Sequence, residues 1–288
     1  MELKRSSEFS FSIAYTIYNK GYLIESILRS LSPLNDCQVL FFFDNCSDNS
    51  LEEFKRHHHL VKNVRAFVNA SYDFFEVRAN NFLLKMSETP YCILVQDDVV
   101  LKDVDSILST ALEIFNSNLK VGLIGFKDGY EMEIANQYYN FISAPWSTSK
   151  SKNAVLSPGK YENRTFINRG PLCLSREVLK DVGCFDEKFY PLFWDDNDLS
   201  LRCVKSGFKN YVAYGDILSK IEWGATRSGS KIPCRDINIS NQIKFSKKWN
   251  MKHAVPFSRT IIPNLKSLLM RVKFHLFHEK ESKKVFEL

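Results

Sequence analysis

Two acidic clusters carry the residue types and spacing that could do chemistry in this sequence. The first is Leu94-Val95-Gln96-Asp97-Asp98-Val99, where adjacent carboxylates close an apolar run. Carboxylates at the end of a buried strand are costly unless a cation or a hydrogen-bond donor compensates them. Hard oxygen ligands placed there suit Mg2+ or Mn2+, which would bridge to phosphate oxygens. The ordinary alternative is a turn, in which Asp is common. The second cluster is Phe193-Trp194-Asp195-Asp196-Asn197-Asp198-Leu199, which starts a helix expected to end near Gly207. Acidic residues stabilise the first turn of any helix, and Asp198 with Arg202 makes an i,i+4 pair. Yet three carboxylates so close repel one another, which raises at least one pKa. A carboxylate of that kind could take a proton from a hydroxyl group. The residues alone leave these two readings balanced.

The elements that must position these clusters alternate. Phe9 to Tyr15 is apolar and β-rich, and Gly21 to Leu31 then places Leu23, Ile27, Leu28 and Leu31 at helical spacing. Gln38 to Phe43 is a nearly continuous apolar run, as in a parallel strand covered on both faces. Polar turn residues follow from Asp44 to Ser50, where Ser50 and Glu53 resemble a capping box. Val64 to Val68, Phe74 to Met86 and Tyr91 to Val95 repeat strand, helix, strand, and Asp103 to Asn116 and Val121 to Phe126 add another pair. This order predicts a Rossmann-like, doubly wound, mostly parallel sheet. Ligands of such sheets bind beyond the carboxyl ends of the strands, where Asp44 to Ser47 and Gln96 to Asp98 both fall. Residues 127 to 168 break the rhythm and read as a long excursion over the site. A strand over Leu172 to Ser175 and a helix over Arg176 to Val182 restore it. From Pro263 onward, Leu265, Leu268, Leu269, Val272 and Leu276 share a helical stripe, with Lys266, Arg271, Lys273 and Lys280 elsewhere. That stripe could lie on an anionic membrane or pack on its own domain. The expected organisation is an α/β domain over 1–245, divided near residue 125, and a basic helical extension over 246–288.

Bulk properties narrow the class without deciding it. With 44% hydrophobic and 25% charged residues, the 288-residue chain is an ordinary globular sequence. Its net charge of +6 suits an anionic ligand, an acidic membrane surface or a plain soluble protein. The seven cysteines have no C-x-x-C spacing, which signals neither a zinc knuckle nor a disulfide framework. With no apolar leader after Met1 and no membrane-length apolar run, a cytoplasmic location is expected. His57-His58-His59 reads as a solvated helix end, because adjacent helical side chains diverge by about 100° and cannot chelate one ion. No P-loop, Gly-x-Gly-x-x-Gly or Gly-x-Ser-x-Gly motif is present.

Taken together, the motifs resemble the inverting glycosyltransferases of family 2, which have the GT-A fold. Phe11 to Lys20 resembles that family's opening strand and its Thr-x-Tyr-Asn turn, and Phe43-Asp44-Asn45-Cys46-Ser47-Asp48 resembles its Asp-rich loop. Gln96-Asp97-Asp98 falls where the Asp-x-Asp motif belongs. Gly170-Pro171-Leu172, Val182 to Glu187 and Trp194-Asp195-Asp196 resemble the stretch that includes the Glu-Asp motif. The resemblance implies that Thr16, Tyr18, Asp44 and Asn45 hold the nucleoside, with Asp97 close to the ribose or the metal. It implies that Asp98 ligates Mg2+ or Mn2+ on the diphosphate and that Asp196, or Asp195 beside it, is the general base. The implied donor is a UDP-, dTDP- or GDP-linked sugar. The implied acceptor is a glycan or lipid-linked glycan, as in bacterial surface-polysaccharide and rhamnosyl-type enzymes, at the inner face of a membrane.

The sequence departs from the pattern at three places. Gln96 is neutral where a carboxylate is usual, Asp195 replaces Glu, and Ile221-Glu222-Trp223-Gly224 lacks the family's metal-binding His, leaving Glu222 as a possible substitute ligand. Arg78 and Asn80 could touch phosphate, and Trp146 and Tyr161 could stack on an acceptor sugar; all four equally fit plain structural roles. Two rivals stay open: a sugar-nucleotide nucleotidyltransferase, which would want a Gly-rich basic loop where Thr16 to Gly21 stands, and a non-catalytic glycan-binding protein of the same fold.

Overall fold

A computed structural model of the protein describes residues 9–69, 72–118, 120–127, 129–130, 132–135, 138–141, 157–219, 234–250 and 285–287. Four parallel strands form the first half of one large sheet: β1 (Phe11–Ile17), β2 (Cys37–Asp44), β3 (Val64–Asn69) and β4 (Tyr91–Gln96). Helices α1 (Gly21–Leu31), α2 (Ser50–His57) and α3 (Phe75–Met86) connect them. After β4 come a short β5 (Val99–Leu101), α4 (Val104–Ser117) and β6 (Val121–Gly125). Alternate side chains of each central strand serve opposite layers. Ile13, Tyr15, Val39 and Phe41 meet α1, α2 and α4 on one face, whereas Ala14, Leu40 and Phe42 meet α3 and the later helices on the other. The apolar runs of β1 and β2 therefore bury both faces. Truncating a fully buried Phe41 to Ala would cost about 3–5 kcal/mol.

Expected and observed elements agree to within about two residues along this half. Two details differ. The residue that bonds the start of α2 is Asp48, which accepts from the Ser50 backbone N–H at 3.0 Å. Ser50 is the first helical residue, so it forms no box with Glu53. The anticipated excursion contains strands: β7 (Gly129–Tyr130), β8 (Met132–Ala135), β9 (Tyr138–Phe141), β10 (Tyr161–Asn163) and β11 (Phe166–Ile167).

The second half weaves antiparallel strands into the sheet. β12 (Leu172–Ser175) inserts between β4 and β6, antiparallel to both. After α5 (Arg176–Asp181) and α6 (Asp195–Lys205), β13 (Lys209–Ala213) pairs parallel to β6. β14 (Ile217–Ser219) pairs with β5 outside the main sheet. α7 (Cys234–Lys248) runs across residue 245, where a domain boundary was expected, and β15 (Val285–Glu287) lies antiparallel on β3. The nine-stranded order is β10-β13-β6-β12-β4-β1-β2-β3-β15. The apolar helical stripe expected after Pro263, with its flanking basic residues, lies outside the described residues. All seven cysteines are free. Among the described residues no helix is long and apolar enough to cross a membrane.

Candidate active site

Parallel register aligns the strand ends. Thr16 lies beside Gln96, and Ile17 lies beside Phe43, so the loops leaving β1, β2 and β4 share one rim. There the Tyr18 backbone N–H donates to Asp97 Oδ2 at 3.0 Å. Burial pushes the half-buried Asp97 carboxyl up to about 7, with Lys20 pulling it down and Asp98 pushing it further up. Asp98 is also raised, first by burial, against the pull of Lys127. Its Oδ1 is buried with no hydrogen-bond partner. An orphaned carboxylate oxygen at a strand end fits a hard divalent cation, and Mg2+ needs only one or two protein carboxylates when phosphates and water complete its shell. Among the described residues no group of three or more His, Cys, Asp or Glu side chains could hold a metal without such help.

The other acidic cluster reaches this rim through an unusual turn. Phe193 and Trp194 both take left-handed backbone, with φ of 72° and 69°, which costs each side chain on the order of 1 kcal/mol. The turn starts α6 with Asp195 fully buried and Asp196 at its half-buried edge. Asp195 Oδ2 lies 3.1 Å from Arg169 Nη1, and Arg169 Nη2 lies 2.8 Å from Glu76 Oε2. Glu76 Oε1 in turn accepts from Gln96 Nε2 at 3.1 Å. A continuous relay, Gln96–Glu76–Arg169–Asp195, thus joins the end of β4 to the start of α6. Asp196 accepts from the backbone N–H groups of Arg169 at 3.3 Å and Asn197 at 2.9 Å.

Burial raises both carboxyls of the Asp195–Asp196 pair, and Arg169 opposes it. Mutual repulsion, the cause expected from sequence, ranks behind burial for Asp195. Burial alone would lower the Arg169 pKa, but Asp195, Glu76 and Asp196 together hold it above its ordinary value. The relay also accounts for Gln96. Its amide donates to Glu76, whereas a carboxylate in its place would repel that residue.

The remaining expected residues are held as follows. Thr16 Oγ1 donates to Asn80 Oδ1 at 3.0 Å, and Tyr18 is buried. Asp44 is fully buried and accepts from the backbone N–H groups of Phe74 at 2.7 Å and Phe75 at 2.8 Å, so it anchors the start of α3. Asn45 Nδ2 donates to Asp73 Oδ1 at 3.1 Å. The Arg78 guanidinium lies over the Tyr190 ring at 4.4 Å and pairs with Glu187 at 3.0 Å. Tyr161 packs edge-on against Tyr211 at 5.7 Å in the edge strand β10. Trp146 and Glu222 lie outside the described residues. Glu76 and Arg169 escaped the sequence reading. A buried Asp195 demands a cation, but nothing local says that Arg169 supplies it.

Neither the protein-family models nor the curated proteins contain a match to this chain. Solved structures do resemble it. The mannosyltransferase PcManGT from Pyrobaculum calidifontis, in complex with GDP-Man and Mn2+, superposes with a TM-score of 0.56 at 13% identity, over 93% of this chain and 70% of that one. S. aureus TarS 1-349 in complex with UDP-GlcNAc gives 0.53 at 16% identity, over 96% and 78%. GalNAc-T7 with UDP, GalNAc and Mn2+ gives 0.57 at 10% identity, over 94% of this chain and 56% of that one. The chain has the GT-A fold.

Proposed function

We propose that the protein is an inverting glycosyltransferase that moves one sugar from a nucleoside diphosphate sugar onto an acceptor hydroxyl. The single observation that carries this reading is the relay from Gln96, next to Asp97 and Asp98, to Asp195, next to Asp196. Solved neighbours of the same fold hold GDP-Man or UDP-GlcNAc, and two hold Mn2+. A divalent cation held by Asp98, with Asp97 beside it, would supply positive charge to the departing diphosphate. Thr16, Tyr18 and Asn45 would form the nucleoside end of the site, with the fully buried Asp44 anchoring α3 behind them rather than touching the nucleoside. Asp195 is fully buried beside Arg169 and out of reach of a substrate, which leaves Asp196, at the half-buried edge, as the base. As Asp196 takes the acceptor hydroxyl proton, that oxygen forms a bond to the anomeric carbon. The bond from the same carbon to the phosphate oxygen breaks, and its electron pair leaves with the nucleoside diphosphate. A single displacement inverts the carbon.

The acceptor is proposed to be a glycan or lipid-linked glycan, with the basic amphipathic segment after residue 263 bringing the site to a membrane face. A thermal-shift panel of UDP, dTDP, GDP and CMP, each with and without Mn2+, tests the donor half of the reading. Ligand at about 100 times its Kd adds about 2.7 kcal/mol to stability. One nucleotide should raise the melting temperature only with metal. No shift with any of them would refute nucleotide binding.

A further inference from the structure

The left-handed turn that delivers Asp195 and Asp196 is gripped from outside by a single helix. Asn241 of α7 is fully buried, and its side-chain amide nitrogen lies within hydrogen-bond reach of three carbonyls on the approach to that turn. These belong to Phe189 at 2.7 Å, Leu192 at 2.8 Å and Phe193 at 3.3 Å. One turn earlier on α7, Asn238 Oδ1 accepts from Trp194 Nε1 at 2.6 Å. Phe245 packs beneath the Trp194 ring at 5.0 Å. Beyond the turn, α7 takes hold of α6 itself. Lys248 Nζ bridges Asp186 Oδ2 and Asp198 Oδ1, both at 2.8 Å, and Trp249 Nε1 donates to Asp198 Oδ1 at 3.0 Å. The carboxylate pair is therefore clamped on both sides, by Asn238 and Asn241 before it and by Lys248 and Trp249 after it.

We infer that Asn241 is a positioning residue for the base: it fixes the Phe193–Trp194 turn, and through it the direction in which Asp196 faces the cleft. Left-handed backbone at two bulky residues persists only where surrounding contacts over-determine it, and the two N–H bonds of the Asn241 amide are shared among three carbonyls there. Without them the turn relaxes, Asp196 shifts from its line to the acceptor, and turnover falls while donor binding on the β1 and β4 side is untouched. The inference rests on the glycosyl-transfer reading for its effect on turnover, but the clamp can be measured without it.

The test compares wild type, Asn241→Leu and Asn238→Ala by nucleoside diphosphate release, by affinity for the matching nucleoside diphosphate with Mn2+, and by amide hydrogen exchange. Asn241→Leu keeps the volume and removes the donors. It should lower kcat about tenfold or more, leave nucleotide affinity within about twofold, and speed exchange across residues 189–197. Parallel losses of kcat, affinity and melting temperature would mean a merely structural role and overturn the inference. So would an unchanged kcat with unchanged exchange. Should Asn241→Leu not fold, the exposed Asn238→Ala decides: a lower kcat with faster exchange in the same segment supports the clamp, and wild-type values for both refute it. If wild type releases nucleoside diphosphate from no donor, the transferase reading fails, and hydrogen exchange still decides whether α7 holds the turn.

Discussion

Asp195 and Asp196 are neighbours in sequence placed in opposite surroundings. Asp195 is sealed in the interior beside Arg169, while Asp196 sits at the edge with its oxygens on two backbone N–H groups. On the proposed reading only the second is placed to meet an acceptor hydroxyl. Asp196→Asn should therefore lower kcat by about 100-fold or more with nucleotide affinity unchanged, as read by steady-state kinetics and calorimetry. The pH profile follows from the same surroundings. Burial raises Asp196, and of the charged groups around it Arg169 opposes the shift while Glu76 adds to it. The acid limb of kcat should accordingly lie above the value of about 3.9 of an ordinary aspartate, with activity rising as pH increases through it. Stability should run the other way. A carboxyl whose folded pKa is raised binds its proton more tightly in the native state, so native stability falls as pH climbs from the ordinary value through the raised one. Arg169→Met would leave Asp195 buried and unpaired, at a cost of about 3–5 kcal/mol. Adding Asp195→Asn should restore most of that loss in urea denaturation at neutral pH.

At the scale of elements, the approach to β12 is as tightly specified as the acidic turn. Gly170 has φ of +82°, and a Cβ there would meet Gln96 Oε1 at 2.4 Å. Gly170→Ala should destabilise by at least about 1–2 kcal/mol from the backbone alone and should displace Gln96 from Glu76, which denaturation and donor kinetics would register together. Much of this architecture was legible in the sequence. Helix α1 spans the residues its apolar spacing predicted, and the β2 run declared a strand buried on both faces. The antiparallel insertion of β12 was not legible, because a four-residue strand carries no mark of its neighbours. Nor was α7. Three of its five buried residues, Ser240, Asn241 and Ser246, are polar, so no apolar stripe marks the inward face. The site divided in the same way. Asp97, Asp98, Asp195 and Asp196 stood out by clustering, whereas Glu76 looks like any acidic first-turn residue and Arg169 like any loop cation until the fold brings them together.

For the molecule as a whole, the sheet separates two tasks. The parallel half, β3-β2-β1-β4, ends in the rim that carries Asp97 and Asp98, and the mixed half carries Asp196, the base of the proposed reaction, at the start of α6. Gln96–Glu76–Arg169–Asp195 is the seam between them, so on the proposed reading the donor and acceptor ends share one charge network. The account is tested most directly by nucleoside diphosphate release from a panel of nucleotide sugars with Mn2+, using wild type, Asp98→Asn and Asp196→Asn, with nucleotide binding measured in parallel. The account predicts release from one donor by wild type, loss of metal-dependent binding in Asp98→Asn, and intact binding without release in Asp196→Asn. Release at the wild-type rate by Asp196→Asn, or unweakened metal-dependent binding by Asp98→Asn, would contradict it.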